Sequence, residues 1–233
     1  MLVRRLEHIG RVSDAERRAI EDLPARVQTL GLRQDIVRDG EKPSCCCLLL
    51  EGWAFRYKIL GEGRRQILSF HMPGDIPDLH SLHIQAMDHG LASLTQATLA
   101  FIPHTSLLNL TERFPHVAAI LWRETLIDAA VFRQWVVGMG QRDAFGRMAH
   151  LFCELYCRME VMGLAVEHRC TLPITQSELG DALGLSSVHT NRTLQEMRVQ
   201  GLITLYSKTL TIMDWDRLVQ AAEFDPSYLQ LIR

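Results

Sequence analysis

The hydrophobic pattern changes character several times along the chain. Ser13-Asp14-Ala15-Glu16 has the form of a capping box, in which a serine hydroxyl and a glutamate carboxylate satisfy early helix N–H groups. A short helix is predicted to follow and to end before Pro24. From about Val27, short apolar runs alternate with turn-rich links such as Arg38-Asp39-Gly40-Glu41-Lys42-Pro43-Ser44. Cys45 to Leu50 is unbroken and apolar, which suits a strand covered on both faces. Trp53, Phe55, Tyr57 and Ile59 then alternate with Ala54, Arg56 and Lys58, the period of two of a half-buried strand. Gly61-Glu62-Gly63 turns the chain, and Leu68, Phe70 and Met72 continue the alternation on the return strand. Pro73-Gly74-Asp75 fits a tight turn, and one further strand is predicted from Leu91 to Ile102. This half reads as a small antiparallel β-barrel or roll.

After Phe114-Pro115 the period changes. His116 to Met139 holds no proline, and no glycine before Gly138, which predicts a helix of about 24 residues, roughly 36 Å long. Its apolar positions Val117, Ile120, Leu121, Leu126, Ile127, Val131, Phe132, Val136 and Val137 cover more than one face. A helix wet on one side needs only a single stripe. The preferred reading packs one face on the roll and the other on a partner helix; the alternative is a helix buried wholly within its own domain. Gly138 and Gly140 read as a hinge before a second helix, Gln141 to Met162. Phe145, Met148, Phe152, Leu155 and Met159 recur there at three and four, a core stripe.

Composition narrows the class. The 233 residues are 47% hydrophobic and 22% charged, as in a soluble globular protein of one large or two modest domains. No apolar run exceeds six residues, against roughly 20 for a membrane span. No signal-peptide stretch is visible near Met1, so a cytoplasmic location with no membrane partner is expected. Six cysteines in a chain of this length fit reduced thiols better than a disulfide scaffold. The 25 Lys plus Arg against 27 Asp plus Glu mean that any nucleic-acid site is a local patch.

That patch lies near the carboxyl end. Thr175 and Glu178 form a second capping box, Leu179 and Leu183 face inward one turn apart, and Gly180 admits a close neighbour. Gly184 breaks the helix, Leu185 plugs the corner and Ser186 caps the next helix, which is a helix-turn-helix arrangement. Gly201-Leu202-Ile203-Thr204-Leu205, Ser207-Lys208 and Leu210-Thr211-Ile212 read as a hairpin wing. The second helix offers Ser187, Val188, His189, Asn191 and Arg192, with no acid from Leu185 until Glu196. Arg forks onto guanine, Asn pairs with adenine and Val meets a thymine methyl, while Arg198 and Lys208 are placed for phosphate. The expected DNA-facing set is Thr175, Gln176, Ser186, Ser187, Val188, His189, Thr190, Asn191, Arg192 and Lys208. Six Lys plus Arg against seven Asp plus Glu in residues 168–233 weigh mildly for the alternative, a helix-turn-helix that never touches DNA.

On these segments the chain resembles the CRP/FNR family of bacterial transcription regulators over nearly its whole length. The anchors are Gly52, Phe70-His71-Met72-Pro73-Gly74-Asp75-Ile76, the long helix and the helix-turn-helix with its wing. The resemblance implies an α+β chain: a cyclic-nucleotide-binding-like sensor roll over 1–111, a dimerisation helix and hinge over 112–140, and a winged helix-turn-helix over 141–233. It implies a homodimer on a pseudo-palindromic operator, with RNA polymerase a further candidate partner. Ser187, Val188, Asn191 and Arg192 fall where family members contact bases, and Arg192 matches the arginine that most members carry. Ser187-Val188 replaces the Arg-Glu pair of one subgroup, and Val188 the Glu of the other, so the half-site is expected to be neither subgroup's.

The sensor half departs from the family's best-known members. Ile76-Pro77-Asp78-Leu79 and His89-Gly90-Leu91-Ala92-Ser93 stand where cyclic-AMP binders carry a ribose carboxylate and a phosphate-binding arginine. Cyclic nucleotide is therefore not the expected ligand. The first cysteine is Cys45, so an N-terminal iron–sulfur cluster is not expected either. No cofactor is expected.

Other groups stay open. Cys45, Cys46 and Cys47 alternate across a strand and read as buried hydrophobes. Cys153, Cys157, His168 and Cys170 have a weak zinc-like spacing, and the thiols are alternatively a redox switch for an effector-gated sensor. His80, His83 and His89 with Asp78 and Asp88 read as a solvated loop, against a metal, haem or pH-responsive site. No hydrolase elbow, His-Glu-x-x-His helix or phosphate loop is present, so catalysis is not expected, with a metal-dependent enzyme left as the third alternative.

Overall fold

The computed structural model describes residues 1–231, which form two compact units, residues 1–128 and 129–230. Residues 232–233, the end of the third expected segment, lie outside the described residues.

The first unit opens with α1 (Leu2–Glu7) and α2 (Asp14–Glu21). Six residues carry too little periodicity to announce a helix, and α1 escaped the sequence reading; burial of Leu2, Val3 and Leu6 holds it. The capping box before α2 is formed, with Ser13 N donating to Glu16 Oε2 at 2.8 Å. Seven strands follow: β1 (Arg26–Leu30), β2 (Asp35–Val37), β3 (Cys45–Glu51), β4 (Ala54–Ile59), β5 (Arg65–His71), β6 (Gly90–Ser93) and β7 (Ala97–Pro103). They pair antiparallel in two sheets, β1-β7-β3 and β2-β6-β4-β5. Leu30, Cys47, Leu49 and Leu99 of one sheet share a core with Val37, Ala54 and Leu91 of the other. On the opposite face of β3 and β7, Cys46, Leu48 and Ile102 cluster with α1, α2, α3 (His104–Arg113) and the first half of α4 (Pro115–Gln141). The apolar run Cys45–Leu50 is thus covered on both sides, as its pattern predicts.

Three expectations are corrected. The single strand predicted from Leu91 to Ile102 is two strands in different sheets. The chain changes sheet at Leu94-Thr95-Gln96, where Leu94 N and Thr95 N both donate to the Trp53 carbonyl. The alternation in β4 does not leave one face wet: Arg56 is 3% exposed, and Ser69 and His71 of β5 are buried as well. The surface covering that face is polar, so hydrophobic periodicity could not report it. Arg56 Nε donates to the Pro77 carbonyl at 2.7 Å and Nη1 to Asp128 Oδ2 at 2.6 Å. The roll therefore does contain a buried cation, already engaged. Finally, the first long helix does not stop near Gly138: Gly138 and Gly140 both lie inside α4, whose 27 residues run about 40 Å. The break falls at Asp143, whose carboxylate accepts from Gly146 N and caps α5 (Ala144–Val161).

A second buried guanidinium pairs α1 with α4. Arg5 Nη2 donates to Glu124 Oε1 at 2.8 Å, and Arg5 Nε lies 3.7 Å from Asp75 Oδ1. Asp75 in turn accepts from Met72 N and faces His71 Nδ1 at 3.4 Å. Burial, reinforced by the nearby Arg56 charge, outweighs the Asp75 carboxylate at His71 and lowers its pKa to about 4.

The second unit contains α5, β8 (Ala165–Val166), β9 (Arg169–Thr171), α6 (Gln176–Leu183), α7 (Ser187–Val199), β10 (Ile203–Tyr206), β11 (Thr209–Ile212) and α8 (Trp215–Ala222). The strands form one antiparallel sheet ordered β10-β11-β9-β8. Met148, Phe152, Leu155 and Met159 of α5 are buried, as their spacing requires, and α5 contacts α6, α7 and α8. Glu154, fully buried on the same helix, accepts from Trp135 Nε1 at 3.0 Å, Tyr228 OH at 3.2 Å and Arg158 Nη1 at 3.3 Å.

The cysteines behave as small hydrophobes. Cys46, Cys47, Cys153, Cys157 and Cys170 are buried, and Cys45 is partly exposed. Burial raises the thiol pKa of Cys46, Cys47 and Cys153, and that of Cys170 to about 12. Cys153, Cys157, His168 and Cys170 do not converge on a common point among the described residues; His168 stacks on Trp215 instead, centroids 5.6 Å apart. In a thiol titration of the native protein with an aromatic disulfide, one thiol per chain, Cys45, is expected to react quickly, and the remainder only on unfolding. Two or more fast thiols would contradict this burial.

Candidate nucleic-acid interface

The interface is assembled from the cap outwards. Thr175 Oγ1 accepts from Glu178 N at 3.2 Å, and the Glu178 carboxylate accepts from Thr175 N at 2.8 Å, so the second capping box closes and starts α6. Gly184 ends the helix with φ +65°, a backbone that L side chains rarely adopt. Leu185 N then donates back to the Gly180 carbonyl at 3.0 Å, and Ser186 Oγ caps α7 by accepting from His189 N at 3.2 Å.

Gly180 sets the distance between the two helices. A Cβ there would stand 2.7 Å from the Leu185 carbonyl oxygen and 3.2 Å from Thr190 Oγ1. No flexible side chain is available to yield at the first contact, because the atom is backbone. Only glycine lets α7 cross this closely.

The crossing turns Thr190, Thr193, Leu194 and Met197 of α7 inward. Ser186, Ser187, Val188, Asn191 and Arg192 are exposed, and His189 is partly so. Val188 is 78% exposed. Arg192 makes no ion pair or hydrogen bond among the described residues, so its guanidinium fork is available. Asn191 Nδ2 donates to Gln176 Oε1 at 3.1 Å, which ties the recognition surface to the first turn of α6. The second Nδ2 hydrogen and Oδ1 are left for a base edge.

Two residues expected to face DNA are engaged within the domain. Thr190 is 0% exposed and packs on Gly180, so it spaces the helices. Arg198 is partly buried, and its Nη2 donates to the Leu205 carbonyl at 3.4 Å, joining α7 to the wing. Thr175 and Gln176 are exposed at the start of α6.

The wing is the β10–β11 hairpin, with Ile203 opposite Ile212 and Leu205 opposite Leu210. Ser207 and Lys208 form its tip, both at positive φ, a two-residue turn whose twist suits the hairpin. Lys208 is exposed there, beside Tyr206 at 82% exposed. Tyr206 was missed by the sequence reading, although the alternation of Ile203 and Leu205 inward places it outward.

This geometry defines a winged helix-turn-helix, the class of domain that reads duplex DNA with its second helix. Comparison with known proteins agrees. A Crp-like helix-turn-helix domain model matches residues 146–221, and a cyclic nucleotide-binding domain model matches residues 28–114. The nitrogen fixation regulation protein FixK of Rhizobium meliloti is 26% identical over 196 residues, covering 82% of this chain and 84% of that one. The transcriptional activator protein FnrL of Cereibacter sphaeroides is 24% identical over 196 residues, covering 82% and 78%. The solved structure of FixK2 from Bradyrhizobium japonicum shares the fold, with a TM-score of 0.78 at 24% identity over 85% of this chain and 98% of that one. The chain belongs to the CRP/FNR family and is a DNA-binding transcription regulator.

Replacing Gly180 with Ala is expected to destabilise the second unit by about 1–3 kcal/mol, because a backbone oxygen must move to admit the methyl group. Urea unfolding checks this. An unchanged midpoint would mean that the helix crossing is looser than described.

Proposed function

We propose that the chain works in the cytoplasm as a homodimer on a pseudo-palindromic operator, each protomer laying α7 in a major groove. The observation that carries base reading is the exposed Ser187, Val188, Asn191 and Arg192 on a helix held by the Gly180 crossing and free of acids before Glu196. Arg192 reads guanine as the main contact; Asn191, Val188 and Ser187 refine the choice. His189 and Lys208 stand at the periphery as phosphate contacts, and two recognition helices would fall about 34 Å apart.

Dimerisation is supported by one stripe of α4. Trp122 is 69% exposed, Leu126 56% and Val136 71%, and with Ala129 and Arg133 between them they recur every three and four residues. That repeat is the seam of a two-stranded coiled coil. A monomer would leave these large apolar side chains in water.

Two substitutions test the reading. Arg192→Ala is expected to cost about 1–3 kcal/mol of specific binding and to relax one position in each half-site. Selection from random duplexes measures this, and identical motifs for wild type and variant would remove Arg192 from the reading role. Leu126→Glu is expected to convert a dimer to a monomer in light scattering and to abolish binding to the two-half-site operator. A wild-type monomer with no preference among duplexes would overturn the whole proposal.

A further inference from the structure

The segment between β5 and β6 holds a pair of imidazoles that the DNA-reading function does not use. His80 lies in the short 3-10 turn Leu79–Leu82, and His89 directly precedes β6. Their ring centroids are 5.2 Å apart, with 34° between planes. Nε2 of each ring is shut off from solvent and has no hydrogen-bond partner among the described residues. His89 is only 7% exposed. Two buried ring nitrogens side by side, both unpartnered, are an unusual expense for a fold to carry without a ligand.

The third group is Asp88. Its Oδ1 lies 2.7 Å from His89 Nδ1. That bond places the ring proton on Nδ1 and leaves Nε2 as a bare lone pair, the arrangement that second-shell carboxylates impose on metal-binding histidines. One ligand atom from each of His80, Asp88 and His89 lies within 4.8 Å of the other two. The Asp88 side chain is 84% exposed.

The sequence reading grouped these residues with His83 and Asp78 as a solvated loop. The structure separates them. His83 is exposed, and Asp78 is buried with Oδ1 accepting from Cys47 N at 2.8 Å and Oδ2 without a hydrogen-bond partner; it does not join the cluster of ligand atoms formed by His80, Asp88 and His89. His80 and His89 turn inward, so the solvated-loop reading fails for both.

The ligand must supply what two lone pairs lack. An anion offers only more lone pairs. Magnesium and calcium prefer sets made wholly of oxygen, whereas imidazole suits zinc, copper and nickel. We propose that His80 and His89 bind one divalent transition-metal ion through Nε2, with Asp88 orienting His89 through Nδ1 and supplying the compensating negative charge. Water fills the remaining positions. Arg56, the nearby cation, is engaged by Asp128 and the Pro77 carbonyl.

The test uses full-length protein stripped with a chelator and dialysed, then titrated with zinc chloride alone in a calorimeter. One equivalent per chain is expected. His80→Gln and His89→Gln should each weaken binding at least tenfold, and Cys45→Ser should leave it unchanged. Cobalt substituted for zinc should give a spectrum without the thiolate charge-transfer band that cysteine ligation produces. His80 is only partly buried, so His80→Gln keeps the test alive if His89→Gln fails to fold. Equal affinity and stoichiometry in wild type and the folded variants, a thiolate band, or no uptake at millimolar zinc would each overturn the proposal.

Discussion

Two buried guanidiniums, each held by a partly exposed carboxylate, fix the first half of α4, and the organisation of the first unit follows from them. Arg5 of α1 holds Glu124, and Arg56 of β4 holds Asp128, one helical turn further on. Apolar surfaces tolerate small slides, because one methyl contact replaces another. A desolvated charge does not, since leaving its partner costs several kcal/mol. The pairs therefore set the register of α4 against the roll, while Val117, Ile120, Leu121 and Ile127 supply the non-directional adhesion. They also account for the burial of Arg56, Ser69 and His71 on a sheet face that an alternating pattern would leave to water.

The reading head rests on a different device, an absence of atoms. Gly180 gives α6 and α7 a separation that a single methyl group would forbid, and Thr190 fills the remaining space. Capping reinforces this from both ends: Thr175 and Glu178 start α6, Gly184 stops it, and Ser186 starts α7. With the inward face committed to Thr193, Leu194 and Met197, the outward face leaves Ser187, Val188, Asn191 and Arg192 exposed. The unit is held from below by Glu154, which satisfies donors from α4, from α5 itself and from the Tyr228 turn.

The polar interior of the roll joins these themes. The buried arginine there is spoken for, while two imidazole nitrogens and one Asp78 carboxylate oxygen are buried without a hydrogen-bond partner. Arg56 and Asp128 both act electrostatically on His80 and His89. The same two residues anchor α4.

Much of this was legible in the residues alone. The capping boxes at Ser13 and Thr175, the doubly covered Cys45–Leu50 strand, the long helix, the core stripe of α5 and the whole helix-turn-helix with its wing follow from spacing, because each depends on contacts a few residues apart. The exposed reading face of α7 was equally visible, since capping fixes where the helix starts and hence which side chains share a side. Tertiary structure alone decided the rest. It split Leu91–Ile102 between two sheets, kept Gly138 and Gly140 helical, turned Thr190 inward and gave Arg198 to the wing. It also buried Arg56 and set His80 beside His89. Each of these depends on a partner distant in the chain, and a linear pattern records what a residue is, not which far-off group will meet it.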